Sequence, residues 1–374
     1  MKIKQVIHLI TTIERGGAEK QLLILAREQI KIGLKVEIIY LKGKPELKDS
    51  FEAVGCSVNQ IVANKTFYKQ VILLSKLLRN TKNIVHAHLP QAELVAALST
   101  KKNRFIITRH NSERFWPSGP KILSIILSRF VCKRASSGIA ISNAVKEFYL
   151  RNREVPKNFQ FVVIYYGCDP KPSISQNGIR QISSDFPKSS NIKIIGTIGR
   201  LVDQKNYPIL IQAFALSLKE YKDIHLVIVG SGDSKQELIN ISKRLKIDDK
   251  ISWLGRTEYI PEFLSKIDVF VLPSNYEGFG LVLLEAMVAN KPILAANNSS
   301  IPEVLGFDHT GLFETSNYQD LSFKIKKVLT EANYKKDLKK NYRKQLNLFD
   351  PGKMVKKIIK VYEQGFLSNE IKGR

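Results

Sequence analysis

The sequence predicts an α/β protein with two doubly wound sheets. Three observations carry the prediction: apolar strand-like runs alternate with amphipathic helical stretches in the first half, the alternation recurs in the second half, and a stretch of connector composition separates them. At 374 residues the chain is long for one domain and comfortable for two, each able to bury its own core. In the first half the expected strands are Val6 to Ile10, Val36 to Leu41, Ile84 to Ala87, Phe105 to Thr108 and Gly138 to Ile141. A helix opens at Gly16-Gly17, runs to Ile32 and stops at Gly33. Pro170, Pro172 and Pro187 then sit among Ser, Asn and Gln between Asp169 and Ser190, where a hinge is expected. The second set of strands is Ile192 to Ile198, Leu226 to Val229, Ile251 to Leu254, Val269 to Leu272 and Pro292 to Ala295. After Asp350-Pro351 a last amphipathic helix carries Val355, Ile358, Ile359, Val361 and Tyr362 and can pack back across either domain. The expected organisation is therefore a first domain over 1–168, a linker over 169–190, a second domain over 191–350 and a returning helix over 351–374.

Lys+Arg 59 against Asp+Glu 34 leaves a formal charge of +25, which points to a polyanionic partner. Nucleic acid, an anionic membrane face and a phosphorylated small molecule all satisfy it, and so does a merely Lys-rich surface. A hydrophobic content of 44% excludes a disordered tail. Cys56, Cys132 and Cys168 form no C-x-x-C, which argues against a disulfide framework or zinc ribbon and for a reducing cytosol. Residues Met1 to Ile10 read as a first strand rather than a signal peptide, and no apolar run approaches the roughly 20 residues that span a bilayer. If a membrane is involved, the expectation is a protein lying on it. No solenoid-length repeat is present.

The chemistry concentrates in Glu277-Gly278-Phe279-Gly280-Leu281-Val282 and Glu285. Gly278 and Gly280 allow backbone to approach a ligand, and the helix that follows aims its first N–H groups at an anion. Glu285 has apolar neighbours on every side, so burial is expected, with either sugar hydroxyls or a buried cation as its partner. Three glycine turns follow strands. Gly16 and Gly17 either receive a phosphate or a sugar on their amides or simply make the turn. Gly199-Arg200 with Lys205 places two cations at a sheet mouth, suited to a diphosphate. Gly230-Ser231-Gly232 closes the next strand, but position 235 is Lys, so the G-x-G-x-x-G of a nicotinamide enzyme is missing, as is a Walker A motif. His86 and His88 share one strand face without a nearby Cys or an obvious third ligand, which reads as a cleft or core feature, while His110 follows a strand and is better placed for a cleft.

Taken together these residues resemble glycosyltransferase family 4, retaining enzymes of GT-B fold with two Rossmann-like domains facing a central cleft. The resemblance covers nearly the whole chain and rests on Gly16-Gly17-Ala18-Glu19, His110, Ser142-Asn143-Ala144-Val145, Gly199-Arg200-Leu201 with Lys205, Val229-Gly230-Ser231-Gly232, and Glu277 through Glu285-Ala286-Met287. It implies a nucleotide-sugar donor held by the second domain and an acceptor held by the first. Arg200 and Lys205 would bind the diphosphate, Glu285 the ribose hydroxyls and Glu277 the sugar. The amides from Phe279 to Val282 would meet the phosphates, the turn from Arg256 to Ile260 would meet the base, and Gly17 would approach the diphosphate from the other domain. His110 would orient the donor and support developing positive charge through its backbone or ring. The scheme needs no metal and no cofactor, since the nucleotide sugar, UDP-linked by expectation, is a co-substrate. Two positions depart from the family pattern: Tyr166-Gly167-Cys168-Asp169 before the linker, and Lys205-Asn206.

The acceptor is expected to be a glycan or a lipid-linked glycan of cell-surface polysaccharide synthesis. Basic amphipathic stretches at Asn64 to Asn83, with Lys65, Lys69, Lys76, Arg79 and Lys82, and at Lys121 to Arg134 suit peripheral contact with an anionic membrane from the cytoplasmic side, although ordinary sheet-covering helices look the same. No nucleic acid is expected. The competing readings are a nucleotide-sugar epimerase and a non-enzymatic polyanion binder.

Overall fold

The computed structural model describes residues 3–78, 81, 83–101, 105–170, 174–184, 186, 187, 189 and 191–371, with side chains described up to residue 365. Arg79, Lys82, Pro172 and Ser190 lie outside the described residues. By its internal contacts the chain divides into a first unit, residues 1–167 with 349–374, and a second, residues 168–348.

The first unit holds a seven-stranded sheet of β1 (Gln5–Ile10), β2 (Lys35–Tyr40), β3 (Ser57–Asn59), β4 (Ile84–His88), β5 (Phe105–Arg109), β6 (Ser137–Ala140) and β7 (Phe161–Val163). Every pair is parallel, in the order β3-β2-β1-β4-β5-β6-β7. The second holds six parallel strands, β8 (Lys193–Ile198), β9 (Ile224–Val229), β10 (Ile251–Leu254), β11 (Val269–Leu272), β12 (Ile293–Ala296) and β13 (Leu312–Phe313), in the order β10-β9-β8-β11-β12-β13. Both sheets are doubly wound, and strand order reverses between β1 and β4 in one and between β8 and β11 in the other. Ligands of such sheets bind beyond the carboxyl ends at this reversal.

The expected strands all form, with ends shifted by at most two residues, because strands covered by helices on both faces are continuous apolar runs. Ile195, Val227, Phe270 and Leu294 are fully buried, and each such side chain contributes about 1.5–3 kcal/mol. Three strands are additional: β3, β7 and β13, of three, three and two residues, each at an edge of its sheet. Too short for a pattern, they leave little free edge to recruit other chains.

The stretch read as a connector contains the helix Gln176–Ser183, capped by Ser175 and packed on the helix Ile260–Lys266. Ser175 N–H also donates to Glu262 Oε1 at 2.8 Å. The final helix, Pro351–Ile371, lies on the first unit, where Met354, Val355, Ile358, Val361 and Tyr362 join a core with Val6, Ile10, Leu22 and Leu25. A Cβ on Gly167 would stand 2.8 Å from Pro351 Cα, which is why the helix can begin where it does.

Candidate active site

In the second unit the loops after β8 and β11 meet at the strand reversal. Gly199 and Arg200 leave β8, a short 3-10 turn spans Asp203–Lys205, and Asn206, in left-handed conformation at φ 49°, opens the helix Tyr207–Glu220. Lys205 Nζ reaches Glu277 Oε1 at 2.6 Å, and Ser274 Oγ donates to the same oxygen at 2.7 Å. The two charged side chains are 14% and 7% exposed, so removing either alone would leave a nearly buried charge at a cost of about 3–5 kcal/mol. The Glu277 backbone is fixed as well: its N–H donates to Ser299 Oγ at 2.8 Å and its carbonyl accepts from Ser300 Oγ at 3.0 Å.

Gln204 joins the two loops. Its carbonyl accepts from Asn275 N–H at 2.8 Å, its amide donates to the Tyr276 carbonyl at 3.0 Å, and its Oε1 accepts from Arg200 Nη2 at 3.0 Å. Arg200, Lys205 and Glu277 are thus held as one group. Gly230 closes the site from β9: at φ +145° a Cβ there would lie 1.9 Å from the Gly199 carbonyl oxygen, so the two turns touch only because residue 230 is glycine. A cavity of about 180 Å³ behind this loop includes Asp203 and Glu237 in its lining. Two carboxylates and no lysine or arginine suit it poorly to a diphosphate.

Gly278, Phe279 and Gly280 continue from Glu277 as buried backbone anchored by the Phe279 ring. Gly280, at φ 82°, opens the helix Leu281–Val288, and its carbonyl takes the N–H of Leu283. Glu285 corrects an expectation, since it is half-buried rather than buried. The eight-residue helix buries only Leu283, Leu284, Ala286 and Met287, while Leu281, Val282, Glu285 and Val288 line its more open side. Glu285 lies near Cys168, whose thiol is pushed up to about 12 by burial first and then by Glu285 and Asp169. Arg256 is exposed in the loop after β10, and Ile260 is buried at the start of the next helix. Neither touches the Lys205–Glu277 pair in any described contact.

The remaining expected residues lie in the first unit. Gly16, extended at φ −138°, precedes the helix Gly17–Lys31, and the Glu19 carboxylate folds back so closely that a Cβ on Gly16 would meet Glu19 Oε2 at 2.3 Å. Glu19 Oε1 accepts from Thr12 Oγ1 at 2.6 Å, and burial raises its pKa. Gly17 is exposed. Ser142 caps the helix Asn143–Arg151, its Oγ accepting from Val145 N–H at 3.1 Å, a contact worth about 1 kcal/mol.

His110 follows β5, whose end is fixed by Arg109. That guanidinium pairs with buried Glu93 at 2.9 Å and lies over the Phe115 and Tyr149 rings at 4.6 and 4.7 Å. His110 is 7% exposed, bonded through Nε2 to His88 Nδ1 at 3.1 Å and through Nδ1 to the Tyr166 hydroxyl. Burial lowers its pKa to about 3, so the ring is neutral at pH 7. The histidine pair of β4 does have a third partner, contrary to expectation. The register sets His8 of β1 opposite His86, and ligand atoms of His8, His86 and His88 fall within 4.8 Å of one another, all buried. A strand register joining positions about eighty residues apart could not be read from spacing.

Two helices of the first unit are covered in an unusual way. Lys121–Arg134 buries Ser124, Ser128, Val131 and Cys132 and exposes Ile122 at 74%, Ile126 at 56%, and Phe130. Phe67–Leu78 buries Gln70, Leu74 and Leu78 and exposes Phe67, Tyr68, Ile72 and Leu77. The helix Pro90–Ser99, with Leu98 exposed, packs against both. Lys69, Lys76, Lys121 and Arg129 are exposed on the same two helices. Among the described residues no helix is long and apolar enough to cross a membrane.

Residues 15–171 match the family described as Glycosyltransferase Family 4, and residues 179–345 match Glycosyl transferases group 1. The N-acetyl-alpha-D-glucosaminyl L-malate synthase of Bacillus anthracis is 26% identical over 245 residues, 62% of this chain and 61% of that protein. The capsular polysaccharide biosynthesis glycosyltransferase CapM of Staphylococcus aureus is 24% identical over 370 residues, 92% of this chain and 93% of that protein. Among solved structures, Anabaena Alr3699/HepE in complex with UDP and glucose superposes with a TM-score of 0.80 at 20% identity, covering 96% of this chain and 99% of that one.

Proposed function

This chain belongs to glycosyltransferase family 4, and on that footing we propose that it moves a hexose or N-acetylhexosamine from a nucleoside diphosphate, UDP in the first instance, to a glycan or lipid-linked acceptor in cell-surface polysaccharide synthesis. The observation that carries the proposal is the Lys205–Glu277 pair at 2.6 Å, tied through Gln204 to Arg200 at the strand reversal of the second sheet. An ammonium has three donors, so Lys205 can hold Glu277 and still present hydrogens to phosphate oxygens, while Arg200 presents a planar fork. As the glycosidic bond breaks, charge grows on the departing phosphate. Cations already fixed in place stabilise that charge more than they stabilise the bound donor.

In this scheme Glu277 meets the donor sugar, Glu285 the ribose hydroxyls, and Gly199, Gly230 and the backbone from Gly278 to Val282 line the nucleotide. The acceptor oxygen adds on the face the phosphate leaves, its proton passes to the departing phosphate oxygen, and anomeric configuration is retained. Arg200 and Lys205 take the electrostatic role, with no metal or cofactor in the scheme.

The names of the two relatives differ in what is made, an N-acetylglucosaminyl malate for one and a capsular polysaccharide for the other. Exposed isoleucines and aromatics beside lysines on the Lys121–Arg134 and Phe67–Leu78 helices favour a lipid-linked acceptor, reached from an anionic membrane surface on the cytoplasmic side.

A nucleotide-release screen over UDP, GDP and ADP sugars, with lipid-pyrophosphate and soluble glycan acceptors, tests the proposal. Release that requires acceptor and disappears in Lys205→Ala supports it. Conversion of the donor without acceptor would make the protein an epimerase, and salt-sensitive polyanion binding indifferent to Glu277 would make it a binding module.

A further inference from the structure

The histidines at the carboxyl end of the first sheet are more than buried packing. We propose that a single directed hydrogen-bond chain, running from Tyr166 to Thr108 through four histidines, holds the His110 ring as a saturated neutral link, with Tyr166 and His88 as positioning residues for sugar transfer. The part about transfer rests on the family 4 reading; the chain itself does not.

The direction follows from Gln29. Its Oε1 faces His8 Nε2 at 2.7 Å, and its Nε2 donates to the Tyr362 hydroxyl at 3.1 Å. An amide oxygen only accepts, so His8 Nε2 carries the hydrogen and, in a neutral ring, His8 Nδ1 accepts. Its partner, His88 Nε2 at 2.9 Å, is then the donor, and His88 Nδ1 accepts from His110 Nε2 at 3.1 Å. His110 Nδ1 is left as the acceptor of the Tyr166 hydroxyl hydrogen. On the other branch the Tyr362 oxygen receives the Gln29 hydrogen and gives its own to His86 Nδ1 at 2.7 Å, and His86 Nε2–H donates to Thr108 Oγ1 at 2.6 Å. Every ring nitrogen is used once and every link holds one hydrogen.

This arrangement keeps the rings neutral by geometry. A second proton on His8 or His88 would put two hydrogens into one link of about 3 Å in a buried site. Burial acts in the same direction, lowering His8 to about 4 and His86 and His88 well below the ordinary histidine value. A metal held by His8, His86 and His88 fits less well. All six of their ring nitrogens already have protein partners, and the three-histidine group includes no carboxylate or thiolate to balance the cation. The ring of His110 is fully occupied too.

Long-range nitrogen-to-proton NMR of the ¹⁵N-labelled full chain, assigned with single His→Gln variants, reads each tautomer directly. His8, His86, His88 and His110 should all be neutral with the hydrogen on Nε2 from about pH 5 to 8. Tyr166→Phe keeps the shape but removes the end donor. It should move the ring signals of His88 and His8 as well as His110, and lower kcat about tenfold with donor KM unchanged. The chain is overturned if any of the four rings titrates in that range, if the shifts stop at His110, or if one equivalent of Zn(II) displaces the His8, His86 and His88 signals. Normal wild-type turnover with Tyr166→Phe equal to it overturns the positioning role alone. Ordered tautomers in a wild-type protein without turnover would instead overturn the family 4 reading of its activity, and the positioning role with it.

Discussion

The two strand reversals of this molecule have the same topology and opposite electrostatics. On β1 and β4, and just after β5, lies a row of neutral imidazoles bonded to one another. Beyond β8 and β11 lies an ion pair, with a guanidinium bound to it through one glutamine. A doubly wound sheet provides a location for chemistry and says nothing of its kind. The charged end presents two fixed cations, while the neutral end holds its backbone in register through uncharged hydrogen bonds.

The sharpest way to break this comparison is to remove charge from one end only. Lys205→Ala should lower kcat/KM for sugar transfer by about 10³-fold, near 4 kcal/mol, and Glu277→Gln, which keeps a partner for Ser274, by about 10²-fold. Steady-state kinetics with saturating acceptor measures both. Values within threefold of wild type would detach the ion pair from the reaction.

Acid should act on the other end. The four histidines have folded-state pKa values below the ordinary 6.5, so between 6.5 and those values the unfolded chain binds more protons than the folded one. Their contribution to stability is complete above pH 6.5 and is lost as pH falls, which for His8, lowered to about 4, and His110, lowered to about 3, costs about 2 kcal/mol each by pH 5. Glu93, raised to about 7 by burial, and Glu19, also raised by burial, act in the opposite sense, so two groups offset part of the loss from four. A net loss of stability between pH 7.5 and 5 is expected in urea unfolding. Stability that is flat or rises on acidification would contradict neutral imidazoles.

Gly230→Ala sharpens the geometry of the charged end. A methyl group 1.9 Å from the Gly199 carbonyl must force the two turns apart, for a loss of about 2 kcal/mol and weaker nucleotide binding. Thermal unfolding and nucleotide titration check it, and an unchanged Tm would mean that the loops are not locked together. The smallest effect on stability is expected from Ile122→Ser with Ile126→Ser, within about 0.5 kcal/mol because both side chains are exposed. The same pair of changes should abolish binding to anionic liposomes. Unaltered binding would remove the membrane reading of that surface.

What the sequence disclosed follows the same division. The long strands were legible because burial on both faces leaves an unbroken apolar run, and the edge strands of two or three residues were not. Arg200, Lys205 and Glu277 could be picked out as charges at strand ends beside glycines, and their similarity to a known family gave them an order. Gln204 was invisible, because a glutamine in a polar loop has no periodicity and its role depends on three partners brought in by folding. His8 was missed because its place beside His86 comes from strand register. Glu285 was misjudged because a short helix of apolar residues does not bury all its sides.

One hydrogen bond, from Gln29 to Tyr362, joins positions 333 apart. During synthesis, then, the amino-terminal unit emerges early yet waits for the helix beginning at Pro351 before its sheet is covered and its histidine row complete. The second unit can mature first on the ribosome, and a nascent chain stalled before Met354 would display a bare apolar surface to the cell's folding machinery.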